Sequence, residues 1–489
     1  MRIRLWYMLF LVPLYFMQSA CFEEEFTSSM DAKLEFSLDT LRFDTVFTEL
    51  GSATRSFRVY NNNDLAIIIS NVRLESQNSF FRFNIDGFLG PEVKEVVIRS
   101  GDSIWVFVEV TVDPDQDVSA SPFVIEELLI FQTNGNTQEV QLEAWGQNAN
   151  YFPNKNHGNK VSLLSCDLGE IVWDDPKPYV IYGTIIIDSC TLVWPAGTQI
   201  FVHGGIADNQ LGVFNDGILF TLPKGRIVSE GTIEEPVIVQ DDRTEKEYTG
   251  LWGGLRFGPM SGPHEFTHTI IRNAATAIGV DSAATVNLTS SVLHSAAGSG
   301  LFARHATVTA VNSLFYDNAS AGVALTFGGN YRFDYCTIAS FGNGTEALVV
   351  NNFYCSDPTC SQGALVTDID ALFSNTIIVG SAKDEILLVN AAPDLPEINF
   401  NVEMRNCVVQ VDELLNDDRF PGFFPDICSD CIPYMFGDTL FEDHEMFDYH
   451  LDTLSIAEEK AITLPGVITD LDGFMRDPVN PDIGCYEYQ

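Results

Sequence analysis

The chain has 489 residues, too many for one ordinary core, so two domains are expected. It carries 26 Lys+Arg against 68 Asp+Glu, a net charge of −42. Nucleic acid is excluded as a partner, because binding it requires basic residues that neutralise phosphates.

At the N-terminus, Arg2 and Arg4 precede a run from Leu5 to Phe16 that is apolar apart from Pro13 and two tyrosines. A membrane-crossing helix needs roughly 20 apolar residues, and this run is shorter, the length of a signal-peptide core. Ser19-Ala20 supplies small residues, and Cys21 follows them. This arrangement resembles the lipobox of bacterial lipoproteins, although Gln18 stands where such boxes carry Leu. The resemblance implies cleavage after residue 20, acylation of the Cys21 thiol and a membrane partner reached through lipid. Glu23-Glu24-Glu25 resembles the acidic signal that sends lipoproteins to the outer face of the outer membrane. An ordinary cleaved leader with an incidental Cys21 is the competing reading. No later segment approaches 18 consecutive apolar residues.

Residues 33–147, after a tether over 21–32, contain strand-like runs such as VFVEVTV (106–112) and EVQLEAW (139–145). NNND, SGDS and TNGNT punctuate them, the last with an Asn-Gly pair suited to a tight hairpin. About seven strands in this length predict a β-sandwich. LRFDTVF, SFRVYNNND and a closing LEAWGQN resemble the immunoglobulin-like spacers of bacterial surface proteins. Asp113-Pro114-Asp115-Gln116-Asp117 begins like a calcium loop. Val118 and Val124 stand where that loop needs Gly and Glu, so an EF-hand is rejected.

Polar residues 148–160 read as a linker, and a repeat follows over 161–415. FTHTII (266–271), LTSSVL (288–293), AVNSLF (310–315), FDYCTI (333–338), FSNTII (373–378) and MRNCVV (404–409) start 22, 22, 23, 40 and 31 residues apart. A period of this size means stacked supersecondary units, and three short strands per turn predict a right-handed parallel β-helix. Phe266, Leu288, Ala310, Phe333, Phe373 and Met404 form one apolar column. Two positions on, Asn312, Asn375 and Asn406 recur, where Asn tolerates a tight bend and stacked amides can hydrogen-bond along the coil. A bend there resets strand parity, which turns the next column (Thr269, Ser291, Ser313, Cys336, Thr376, Cys407) inward. Cys336 and Cys407 are therefore expected as buried thiols. Over residues 170–415 the repeat resembles the pectate-lyase-like superfamily. PAGTQIFVHGG and LWGGLRFG resemble the opening coils of its bacterial surface members. DLDGFMRDPVNPDIGCYEYQ, within 416–489, resembles their closing segment.

Export implies an oxidising compartment. Cys355 with Cys360 and Cys428 with Cys431 read as candidate loop disulfides, and Cys166 could pair with Cys190. Zinc held by four sulfurs competes, but the two pairs have unequal spacing with acids between them.

Chemistry is sparse. HEFTH (264–268) matches H-E-x-x-H, which needs a helix to bring both histidines to one metal. In a strand they lie about 13 Å apart at roughly 3.3 Å per residue, and zinc ligands need about 2 Å. Asp241-Asp242-Arg243 reads as an exposed charge run between coils, without the histidine and lysine motifs of β-helix hydrolases. Asp317 and Asp334 are single acids that could face a groove. No convergent acid–base set is legible.

The expectation is all-β: an immunoglobulin-like sandwich followed by a right-handed parallel β-helix, on a lipid-anchored protein of the outer membrane surface. The expected role is non-enzymatic, adhesion or glycan binding, with a polysaccharide or another surface protein as partner. A polysaccharide lyase or glycoside hydrolase is the alternative. No catalytic residue and no cofactor is expected; calcium is the ion that the acidic surface could attract.

Overall fold

The computed structural model describes residues 24–47, 54–76, 79–111, 123–154, 156–210, 212–243, 249–357, 359–417, 420 and 422–489. Cys21, the leader and the 113–118 segment lie outside them. The packing divides the chain between Asn148 and Ala149 into two compact units.

The first unit holds two five-stranded sheets among the described residues. One orders Glu35–Phe36, Arg55–Tyr60, Ser103–Val110, Phe81–Ile85 and Phe88–Leu89, all antiparallel. The other orders Thr40–Phe47, Asn136–Gln147, Phe123–Thr133, Ile67–Leu74 and Glu92–Ile98. Thr40–Phe47 runs parallel to its neighbour, and the other pairs are antiparallel. Period-2 alternation fixes which residues enter: Val106, Val108 and Val110 are buried while Trp105 and Phe107 face out. Phe43, Phe57, Phe81 and Phe131 join those valines in one core drawn from both sheets, which makes the unit a sandwich. Asn134 and Gly135, both at positive φ, turn the hairpin that joins 123–133 to 136–147.

The second unit is a right-handed parallel β-helix. One coil reads Gly254–Phe257, His264–Thr267, Thr269–Arg272, and the next begins at Ile278. Among the described residues, first and second strands stack into a 17-stranded sheet and third strands into an 11-stranded sheet. Each strand pairs in parallel with its equivalent on the next coil, as in Phe266↔Leu288↔Ala310↔Phe333↔Phe373↔Met404. That column is fully buried, and the Phe333 and Phe373 rings stack at 5.0 Å. Burying one such side chain stabilises by about 1.5–3 kcal/mol.

The bend after the second strand is left-handed on each of these coils. His268, Ser290, Asn312, Tyr335, Asn375 and Asn406 sit at φ between 41° and 53°. The inversion sends the following column inward, and Thr269, Ser291, Ser313, Cys336, Thr376 and Cys407 are all inaccessible. Their hydroxyls are matched along the coil: Thr269 N–H donates to Ser291 Oγ and Ser291 N–H to Ser313 Oγ, both at 3.3 Å.

Four features differ from the sequence reading. Asn150–Phe152, within the presumed linker, is a strand paired with Tyr179–Ile181, so the coil begins there. Cys428–Ser429 and Ile432–Pro433 add a further coil inside the presumed closing segment. Both strands are too short for periodicity to reveal. The bend asparagines do not bond to one another. Asn312 donates to Thr469 C=O at 2.7 Å, Asn375 exchanges bonds with Ile462 at 2.8 and 3.0 Å, and Asn406 donates to Lys460 C=O. Residues 434–489 therefore run along the side of the coil as a strap. Leu440, Tyr449, Leu451, Leu471, Ile483 and Cys485 cover the outer face of the third-strand sheet over Leu314, Tyr335, Ile377 and Val408. Arg476 fastens it, bonding Glu487 and Asn312 at 3.0 Å and lying 4.0 Å above the Tyr335 ring.

Candidate functional site

On the outer face of the first strands, parallel register sets Phe220, Arg256, Gly279 and Phe302 side by side on consecutive coils. Alternation requires this, since Leu255 and Phe257 on either side of Arg256 point into the core. With Thr276, Asp281 and Arg304 these residues line a groove of about 450 Å³.

Arg256 lies flat along it. Its guanidinium donates to the carbonyls of Gly253 at 2.6 Å and Thr276 at 3.1 Å. Burial alone pulls its pKa down, to about 10, and no carboxylate offsets that penalty. Gly279 makes room: a Cβ there would stand 3.0 Å from Arg256 Nη1. Arg304, by contrast, is satisfied by a bidentate pair with Asp281 at 2.8 and 2.9 Å. Burial opposes ionisation of Asp281, but hydrogen bonds from Arg304 and Ser282 outweigh it and hold the carboxyl below its usual range. Among the described residues the one carboxylate lining the groove is thus committed to an ion pair. Glycoside hydrolysis needs two, one of them free to carry a proton. Phe302 is 41% exposed and offers an open ring beside the guanidinium. The groove can stack a flat apolar face and donate hydrogen bonds to an oxygen-rich ligand.

Asp241 and Asp242 are not the exposed charge run that sequence suggests. Asp241 ends the strand Val237–Asp241 and is buried, which raises its pKa to about 6 although Asn273 donates to it at 2.8 Å. Asp242 meets His203 Nδ1 at 2.7 Å, and Tyr182 stacks on that imidazole at 4.6 Å. The hydrogen bond that His203 donates to Asp242 raises the His203 pKa. Register creates this cluster, because Tyr182 and His203 close successive third strands and Asp242 directly follows the end of the next one.

His264 and His268 part at the bend. His264 is buried against Phe257 at 3.8 Å, its Nδ1 accepts from Ile227 N–H at 3.1 Å, and burial lowers its pKa to about 3. His268 occupies the left-handed position itself. Asp317 accepts from Ser295 at 2.6 Å and Asp334 from Arg332 at 2.6 Å, each within its own network. Disulfides join Cys166 to Cys190, Cys355 to Cys360 and Cys428 to Cys431. The second closes a hairpin inserted between coils, and the third clips the last coil across its left-handed bend at Asp430. Cys336, Cys407 and Cys485 are buried free thiols. Among the described residues no three His, Cys, Asp or Glu side chains converge on a metal position, and no helix is long and apolar enough to cross a membrane.

The family described as "Right handed beta helix region" matches residues 261–411. No curated protein matches the chain. Among solved structures, a Porphyromonas gingivalis W83 protein of unknown function is 13% identical, with 23% of this chain and 46% of that one covered, at a TM-score of 0.18. The PapD-like domain 7 of human CEP192 is 11% identical, with 24% and 85% covered, at a TM-score of 0.17. At these TM-scores neither likeness bears on fold or function.

Proposed function

We propose that this is a non-catalytic glycan-binding protein of the bacterial outer surface, held by lipid at Cys21 and spaced from the membrane by an immunoglobulin-like sandwich. One observation carries the binding reading: Arg256 lies without a carboxylate partner between Phe220 and Phe302 on consecutive coils. A sugar ring stacks its C–H face on Phe302, and Arg256 receives a carboxylate or sulfate. Binding of a carboxylated polysaccharide, followed by affinity electrophoresis, should weaken at least about tenfold in Arg256→Ala and Phe302→Ala. Unchanged retardation in both variants sinks the reading. The anchor has its own test, since Cys21→Ser should move the protein from the membrane to the soluble fraction.

A catalytic reading has one observation in its favour. Asp242 orients His203, whose side chain is still 43% exposed, as a general base would be. Release of new sugar ends from a polysaccharide, abolished in His203→Ala, would replace the binding reading.

A further inference from the structure

Where the strap crosses the turns that follow the third strands, a cleft of about 580 Å³ opens between the two. Phe341 on the coil and Phe447 on the strap supply aromatic faces, while Asp317, Ser381, His444 and Glu445 supply polar groups. Phe447 is half exposed although its ring also touches Tyr316 at 5.6 Å. Asp317 is held from behind by Ser295 through Oδ2, which leaves Oδ1 for a ligand. Among the described residues, the Glu445 side chain makes no hydrogen bond or ion pair, and the His444 ring lies against Phe341 at 4.1 Å. Among the described residues no lysine or arginine lines the cleft.

We infer that this cleft binds an ammonium-bearing ligand. Ionised carboxylates only accept hydrogen bonds, so Asp317 and Glu445 call for a donor. Aromatic faces attract cations, and carboxylates beside them add to that attraction. An anionic sugar suited to the Arg256 groove is repelled here, so the two sites take ligands of opposite sign. The ammonium can belong to an amino sugar or to a polyamine.

Isothermal titration of the full chain at low salt, with glucosamine, putrescine, glucose and N-acetylglucosamine as probes, separates these cases. Glucosamine, putrescine or both should bind saturably, and glucose and N-acetylglucosamine at least about tenfold more weakly. Glucosamine alone identifies an amino-sugar site, and putrescine alone a polyamine site. Glu445→Gln and Phe447→Ala, each checked for an unchanged circular dichroism spectrum, should each weaken binding about tenfold, whereas Arg256→Ala should not. Equal binding of glucose and glucosamine, no binding of either amine, or indifference to both cleft variants overturns the inference.

Discussion

The sandwich and the coil both bury alternate residues of short strands, but they find strand partners by different means. In the sandwich, Arg55–Tyr60 pairs with Ser103–Val110 and Thr40–Phe47 with Asn136–Gln147, segments with no shared phrase. In the coil, a strand pairs with the next copy of itself, as His264–Thr267 does with Thr285–Thr289. One core is closed by distant parts of the chain and stands or falls together. The other grows by addition, so each coil depends mainly on its two neighbours.

The largest effect expected comes from the column itself. Phe333→Ala should cost about 3–5 kcal/mol, and so should Phe57→Ala in the sandwich. The two should differ in reach. Amide exchange should rise across the whole first unit for Phe57→Ala, but only in coils adjoining residues 310–373 for Phe333→Ala. Exchange that spreads through the entire coil would break the comparison.

Next in size is the strap. Arg476→Ala leaves Glu487 buried without its partner and should cost about 3 kcal/mol. The loss should register as faster exchange in 434–489, while the interior column stays protected.

Two histidines then sharpen the contrast through pH. His264 stays neutral in the fold down to about pH 3, whereas an unfolded histidine gains a proton below about 6.5. Stability therefore falls as pH drops below 6.5, by roughly 1.4 kcal/mol per unit from this group, and His264→Gln should flatten that slope in denaturant titrations. His450 has the opposite sign. Its nitrogens face Asp472 at 2.9 Å and Asp448 at 2.6 Å, and the Asp472 bond leads in raising its pKa to about 9. Its contribution is full below about pH 6.5 and is lost as pH rises through 9, so limited proteolysis of the strap should speed up over that window. His450→Gln should remove the pH dependence.

The smallest effect is expected at Thr267, one residue along from Phe266 and on the opposite side of the strand. Thr267→Ala should change the free energy of unfolding by no more than about 0.5 kcal/mol in denaturant titrations. A cost equal to that of Phe333→Ala would contradict the strand parity on which the coil rests.

How far the sequence could be read follows from the same contrast. The column from Phe266 to Met404, the bend at the Asn positions and the inward turn of Cys336 and Cys407 were legible, because repetition writes register into spacing. The pairing order of the sandwich was not, since nothing in SFRVYNNND names its partner. The Arg256 groove left a faint signal, an arginine alternating with Leu255 and Phe257 in LWGGLRFG. Its meaning depends on Phe220 and Phe302, brought alongside only by register. Asp242 looked exposed because its partner, His203, lies 39 residues earlier. Of the strap, only a closing segment was legible in DLDGFMRDPVNPDIGCYEYQ; its path was not, because its apolar cover and its bonds to the bend residues join segments far apart in the chain.

The strap also sets an order of events in time. Arg476 reaches Asn312 across 164 residues, and Ile462 reaches Asn375 across 87. A chain made from its N-terminus presents those bend residues long before the residues that cover them arrive. Until then Leu314, Ile377 and Val408 line an open apolar side, the kind of surface on which incomplete chains associate. The strap is thus a late cover: a molecule that lacks residues 434–489 keeps its coils and shows a sticky flank.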